Sequence, residues 1–275
     1  MFMTEHERGL MLQEHQLLER IRKDPRYKLT ISRDLYGAVL RDEFDLADLY
    51  LALGANPGMD GSRALILAAE KGYFNLVVRL HEAGGDVTAY NSQALISAAR
   101  NGHTGLVFYL AGRGANPRAN NDEAIILAAE HQHAETVRML IGLGASANAR
   151  NGQLLIILAE NGMNNIMKFA LDLGADPTAQ NSECLIKAIQ HDHKETADIL
   201  YEAGANLSNE ALIETIWCNS MIMLKWLIEK GINIHEYNDK AFKLAREWRR
   251  KEILEVLEQA SLTEGEKSCA KEEAT

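Results

Sequence analysis

The chain has 275 residues, 47% apolar and 25% charged, with a formal net charge of −10. That acidity offers no basic stripe for phosphates, so nucleic acid is not an expected partner. No apolar run approaches the roughly 18 residues that read as a membrane span, so no membrane partner is expected either.

The N-terminus is charged from residue 5 and shows no signal-peptide core. Residues 4–24, TEHERGLMLQEHQLLERIRKD, predict one amphipathic helix with Leu10, Leu17, Leu18 and Ile21 apolar. Residues 1–30 are thus expected to cap the body that follows, the alternative being a docking helix for a second partner. Basic residues cluster here (Arg20, Arg22, Lys23, Arg26, Lys28, Arg33) and near the other end (Arg246, Arg249, Arg250, Lys251). Both clusters are interleaved with acids and read as solvated surface.

From residue 31 to 260 the dominant signal is a period. Gly54, Gly84, Gly114, Gly144, Gly174 and Gly204 stand 30 residues apart, and a shorter unit reaches Gly231. Between them lie similar units such as GSRALILAAEKGYFNLVVRLHEAG, NDEAIILAAEHQHAETVRMLIGLG and NSECLIKAIQHDHKETADILYEAG. With a divergent first unit (33–54) and last unit (238–260), the count is about eight. Each unit predicts two short helices. Asn, Ser or Asp is expected to cap the first by accepting N–H groups of its own first turn. The grid glycine suits the left-handed residue after the second. Paired alanines (Ala68/Ala69, Ala98/Ala99, Ala128/Ala129) allow close approach, and no pair could bury its apolar face alone, so the units must stack.

These motifs, ALISAARNGH, TVRMLIGLGASANA and the recurrent G-A-[DN] corner, resemble the ankyrin repeat. The resemblance implies an all-α solenoid of about eight stacked helix pairs. Two departures stand out: three residues are missing from the usual unit, and EAII, QALI or ECLI replaces the family's T-P-L-H tetrapeptide. Short turns are therefore expected in place of full hairpin fingers. An isoleucine ladder (Ile66, Ile96, Ile126, Ile156, Ile186, Ile213) reads as edge-of-core packing.

One segment, NSECLIKAIQHDH (181–193), looks like chemistry because it carries Cys184, His191, Asp192 and His193. The repeat recasts it. Cys184 falls in the small, apolar column of Ala64, Ala94 and Ala124, while His193 shares the turn column of His103 and His133, where the resemblance implies a hydrogen-bonding brace. His191 and His193 are expected to point in different directions. No catalytic residue, metal site or cofactor is expected, and the three cysteines (Cys184, Cys218, Cys269) fit a reducing, cytoplasmic setting better than a disulfide framework.

The resemblance implies that inner helices and turn tips grip a protein partner on a concave face. A helical wheel places on that face Arg63, Glu70, Gln93, Ser97, Arg100, Glu123, Glu130, Gln153, Glu160, Glu183, Lys187 and Gln190. Trp217 and Trp248 join them as candidate anchors, or alternatively as seals of the C-terminal unit, and Tyr90 and Tyr237 sit at matching turn tips. Residues 261–275, SLTEGEKSCAKEEAT, read as a disordered acidic tail. The tail resembles translocation signals of type IV-secreted bacterial effectors, which would place a monomeric, non-catalytic module in a host cytosol. An enzyme with an unrecognised site and a self-assembling structural module are the rival readings.

Overall fold

The computed structural model describes residues 4–272, without the side chains of residues 6–7, 236–238 and 263–272. Among the described residues there are seventeen α-helices, one three-residue 3-10 helix and no strand. They form two compact units, Met1–Ser146 and Ala147–Thr275, each built of packed helix pairs.

In the first unit α1 (Glu5–Lys23) lies against α2 (Tyr27–Leu40) and α3 (Phe44–Ala52). Three further pairs follow: α4 (Arg63–Glu70) with α5 (Phe74–Glu82), α6 (Ala89–Arg100) with α7 (Thr104–Gly112), and α8 (Ala119–Glu130) with α9 (Ala134–Gly142). The second unit pairs α10 (Ala149–Glu160) with α11 (Asn164–Asp172) and α12 (Ala179–Gln190) with α13 (Lys194–Glu202). It continues with α14 (Asn209–Cys218) beside α15 (Met221–Glu229), and α16 (Glu236–Glu247) beside α17 (Lys251–Glu272). The helix α17 runs through residues 261–272, which composition alone reads as disordered. The Glu, Lys and Ala that make this segment polar are also strong helix formers.

Within each unit the first helices of successive pairs lie side by side: α2, α4, α6 and α8, then α10, α12, α14 and α16. Their shared face is a column of fully buried leucine and isoleucine (Leu65, Leu95, Ile125; Leu155, Leu185, Leu212). Each such side chain stabilises the fold by about 1.5–3 kcal/mol. Beside it the alanine pairs of α4, α6 and α8 are wholly buried, so no larger side chain holds the helices apart. Four of the isoleucines (Ile96, Ile126, Ile156, Ile186) are buried and Ile66 and Ile213 are half-buried, as edge-of-core packing requires.

The grid glycines follow the second helix of each pair with φ between 81° and 104°, the left-handed region where a side chain is strained. The Asp or Asn two residues on then closes the corner. Asp86 Oδ1 accepts the Thr88 N–H at 2.8 Å, Asn116 Oδ1 that of Arg118 at 2.9 Å, and Asp176 Oδ1 that of Thr178 at 2.8 Å. This is the physical content of the G-A-[DN] motif.

The stretch that replaces the hairpin finger is a turn of left-handed helix. Tyr90–Asn91–Ser92, Asn120–Asn121–Asp122, Arg150–Asn151–Gly152 and Gln180–Asn181–Ser182 all have positive φ in all three residues. Each non-glycine residue held there costs roughly 1–2 kcal/mol, least for Asn and Asp. The centre of each of these turns is Asn. Neighbouring turns support one another: Asn91 Nδ2 donates to Asn120 Oδ1, and Gln180 Nε2 donates to the Asn151 carbonyl at 3.0 Å.

This conformation corrects the expected capping. The Ser or Asp directly ahead of the right-handed turns of α4, α6, α8 and α12 (Ser62, Ser92, Asp122 and Ser182) accepts no hydrogen bond from those turns among the described residues. Instead it reaches the corner that follows its own helix pair, 24 residues on. Ser62 Oγ accepts the Asp86 N–H at 2.8 Å, Ser92 Oγ that of Asn116 at 2.8 Å, Asp122 Oδ1 that of Ser146 at 3.0 Å, and Ser182 Oγ that of Asn206 at 2.9 Å. These clasp residues are all buried. At Gly152 the column lacks a side chain, and Asn148 Oδ1 takes over by accepting the Asp176 N–H at 2.7 Å. Conventional caps occur at Ser208 and Ser220, which accept from Ala211 and Met223 of their own helices.

Candidate partner-binding site

The first helices of the first unit expose Arg63, Glu70, Arg100 and Glu130, and half-expose Gln93 and Glu123. A groove of about 490 Å³ brings Glu70, Gln93, Ser97, Arg100 and Glu123 together with Ile96, Asn101, Leu127 and His131. Arg63 lies outside it, its guanidinium 5.1 Å above the Tyr36 ring. Ser97 differs from the expectation of a partner-facing residue: it is 8% exposed, beneath Gln93, whose Nε2 donates to Ser97 Oγ at 3.3 Å. The column after the isoleucines (Leu67, Ser97, Leu127, Ile157, Lys187, Glu214) lies partly in the core: Ser97 and Ile157 are buried and the other four are half-buried. Asn101, Leu127 and His131 were not singled out by the helical wheel. They stand in repeat columns that already held candidates, and the groove follows from adjacent helices rather than from any one of them.

In the second unit Gln153 is half-buried and Glu160 is exposed with its carboxylate 3.9 Å from His191 Nε2. Glu183, Lys187 and Gln190 form a chain: Lys187 Nζ lies 3.8 Å from Glu183 and donates to Gln190 Oε1 at 3.0 Å, and Gln190 Nε2 donates to Glu214 Oε2 at 3.0 Å. Trp217 is 61% exposed, and its carbonyl accepts from Arg250 Nη2 at 3.1 Å. Trp248 is half-buried at the end of α16. Tyr90 is exposed and its hydroxyl reaches the Asp60 carbonyl at 3.5 Å, while the Tyr237 side chain lies outside the described residues.

Two histidines of the turn column, His103 and His193, act as braces. A ring nitrogen of His103 donates to the Glu70 carbonyl at 3.0 Å, and Nδ1 of His193 donates to the Ala159 carbonyl at 2.9 Å, so those nitrogens carry the proton. The ring of His103 also covers Gly72, where an added Cβ would meet it at 2.6 Å. The expected divergence of His191 and His193 is not what occurs. Asp192 between them has φ 56°, and the two rings come to 5.9 Å with 31° between their planes. Cys184 is buried, its Sγ 3.4 Å from the Pro177 carbonyl, and burial pushes the thiol up to about 12, which leaves it protonated and unreactive near neutral pH.

Stacked helix pairs on a fixed period, closed by Asx corners and braced by turn histidines, define a helical repeat protein. A family model described as ankyrin repeats (3 copies) matches residues 35–121, 109–181 and 125–211. These spans cover well over half of the chain, and the chain belongs to the ankyrin-repeat family. No curated protein matches it. Ankyrin repeats are protein–protein interaction modules and are in general non-catalytic.

Proposed function

We propose that the chain recognises a protein partner through the exposed face of its first helices, without catalysis, by occlusion or scaffolding. The observation that carries this reading is the groove of the first unit, where side chains of α4, α6 and α8 converge around an apolar floor of Ile96 and Leu127. Polar walls over a small apolar base are what a specific, non-obligate interface offers. Trp217 supplies an exposed aromatic anchor of the kind enriched in binding hot spots. The test is affinity capture compared across variants. Glu130→Arg and Trp217→Ala should each reduce capture of a partner that the unaltered protein retains, whereas Phe108→Ser on α7 should not. If both face variants capture normally while remaining folded, the proposal is wrong.

The glutamate-rich composition of residues 261–275 supports a finer reading, delivery of the protein into a host cell as an effector. Fusing that segment to a translocation reporter tests it; a fusion that stays in the producing cell removes the idea.

A further inference from the structure

We infer that the groove of the first unit takes an α-helical partner segment presenting basic, acidic and basic side chains at seven-residue intervals. The inference rests on the proposed function and adds the chemistry of the partner. Glu70, Arg100 and Glu130 occupy the same position on α4, α6 and α8, so charge alternates from helix to helix along this face; Glu70 and Arg100 line the groove, and Glu130 stands on the next helix, outside its lining. All three side chains are exposed, and among the described residues none of them makes an ion pair. Glu123 adds a second carboxylate to the groove lining, and Ile96 and Leu127 provide the apolar floor. A partner that satisfies this surface must place a carboxylate at Arg100 and a cation on either side.

Spacing fits a helix and excludes an extended strand. Neighbouring packed helices stand about 8–10 Å apart. A helix rising about 1.5 Å per residue brings residues i, i+7 and i+14 to one face at about 10 Å intervals. An extended strand repeats its face every second residue, about 6.6 Å, and falls out of step with the column.

The test uses labelled synthetic peptides of about 20 residues on an alanine-rich helical background, titrated by fluorescence anisotropy at low salt. One carries Lys–Glu–Lys at seven-residue spacing, one Glu–Lys–Glu at the same spacing, and a third Lys–Glu–Lys at two-residue spacing in a strand-forming background. The first should bind roughly threefold to tenfold tighter than the second, the margin that three exposed ion pairs supply. The Glu70→Arg/Arg100→Glu/Glu130→Arg variant should invert that order, and added salt should shrink it. Equal binding of the two helical peptides, an order unchanged by the triple reversal, or tighter binding of the two-residue-spaced peptide each overturns the inference. Capture of a partner that depends on Glu130 and Trp217, together with no peptide preference, leaves the proposed function standing and removes only this refinement.

Discussion

Trp226→Ala is expected to lower the stability of the second unit by about 3–5 kcal/mol, the usual cost of emptying a large buried aromatic site. The side chain is 1% exposed in α15, and its Nε1 donates to Asp198 Oδ1 at 2.7 Å. The ring of Tyr201 meets it edge-on at 6.0 Å, and Lys230 Nζ lies 5.8 Å from its ring centre and 3.4 Å from Asp198. Removing the indole therefore leaves a cavity and takes one donor from a carboxylate that also faces Lys194 at 3.2 Å. Burial works to raise the Asp198 carboxyl, yet the hydrogen bonds from Trp226, Lys194 and Lys230 hold it below the ordinary Asp range. A carboxyl held low in the fold contributes stability above the unfolded pKa and loses it as the pH falls through the folded value. This corner of the second unit accordingly weakens in acid. Urea unfolding followed by circular dichroism measures the effect; an unshifted midpoint for Trp226→Ala would contradict the assigned packing.

Ser92→Ala should cost about 1–3 kcal/mol, because the Asn116 N–H loses its acceptor in a partly buried place. Alanine tolerates the left-handed conformation no better than serine, so nothing in the backbone offsets the loss. Position 122 provides the control. Asp122→Ser keeps an acceptor for the Ser146 N–H and should be milder than Asp122→Ala, which does not. Thermal melts of the three variants decide the matter: if the alanine variants match their parent, the clasps are incidental.

The period alone made the architecture legible, since a repeat whose apolar face needs a neighbour has few ways to fold. Exposed columns were legible for the same reason: Glu70, Arg100 and Glu130 project from matching positions of ideal helices. What escaped was set by contacts distant in sequence. Asn-Ser and Asn-Asp before an apolar run carry the composition of a helix cap, and the clasp across 24 residues leaves no local trace. The left-handed Asp192 likewise turns His191 and His193 together, where a regular helix end would have parted them. Ser97 lines the groove yet is largely covered, because Gln93 four residues before it donates to its hydroxyl, a contact that one polar residue in a varied column does not announce. Trp226 drew no attention inside the apolar run MIMLKWLIE, where an aromatic residue signals only core.

The clasps and braces also bear on how the chain comes to be folded. A clasp closes 24 residues, and the widest of the ties described, from His193 to Ala159, closes 34. Short closures of this kind place the fold among those of low contact order, for which the search is brief. A ribosome would release each helix pair together with nearly everything it needs to close, so assembly can follow synthesis from one corner to the next without waiting for the far end of the chain.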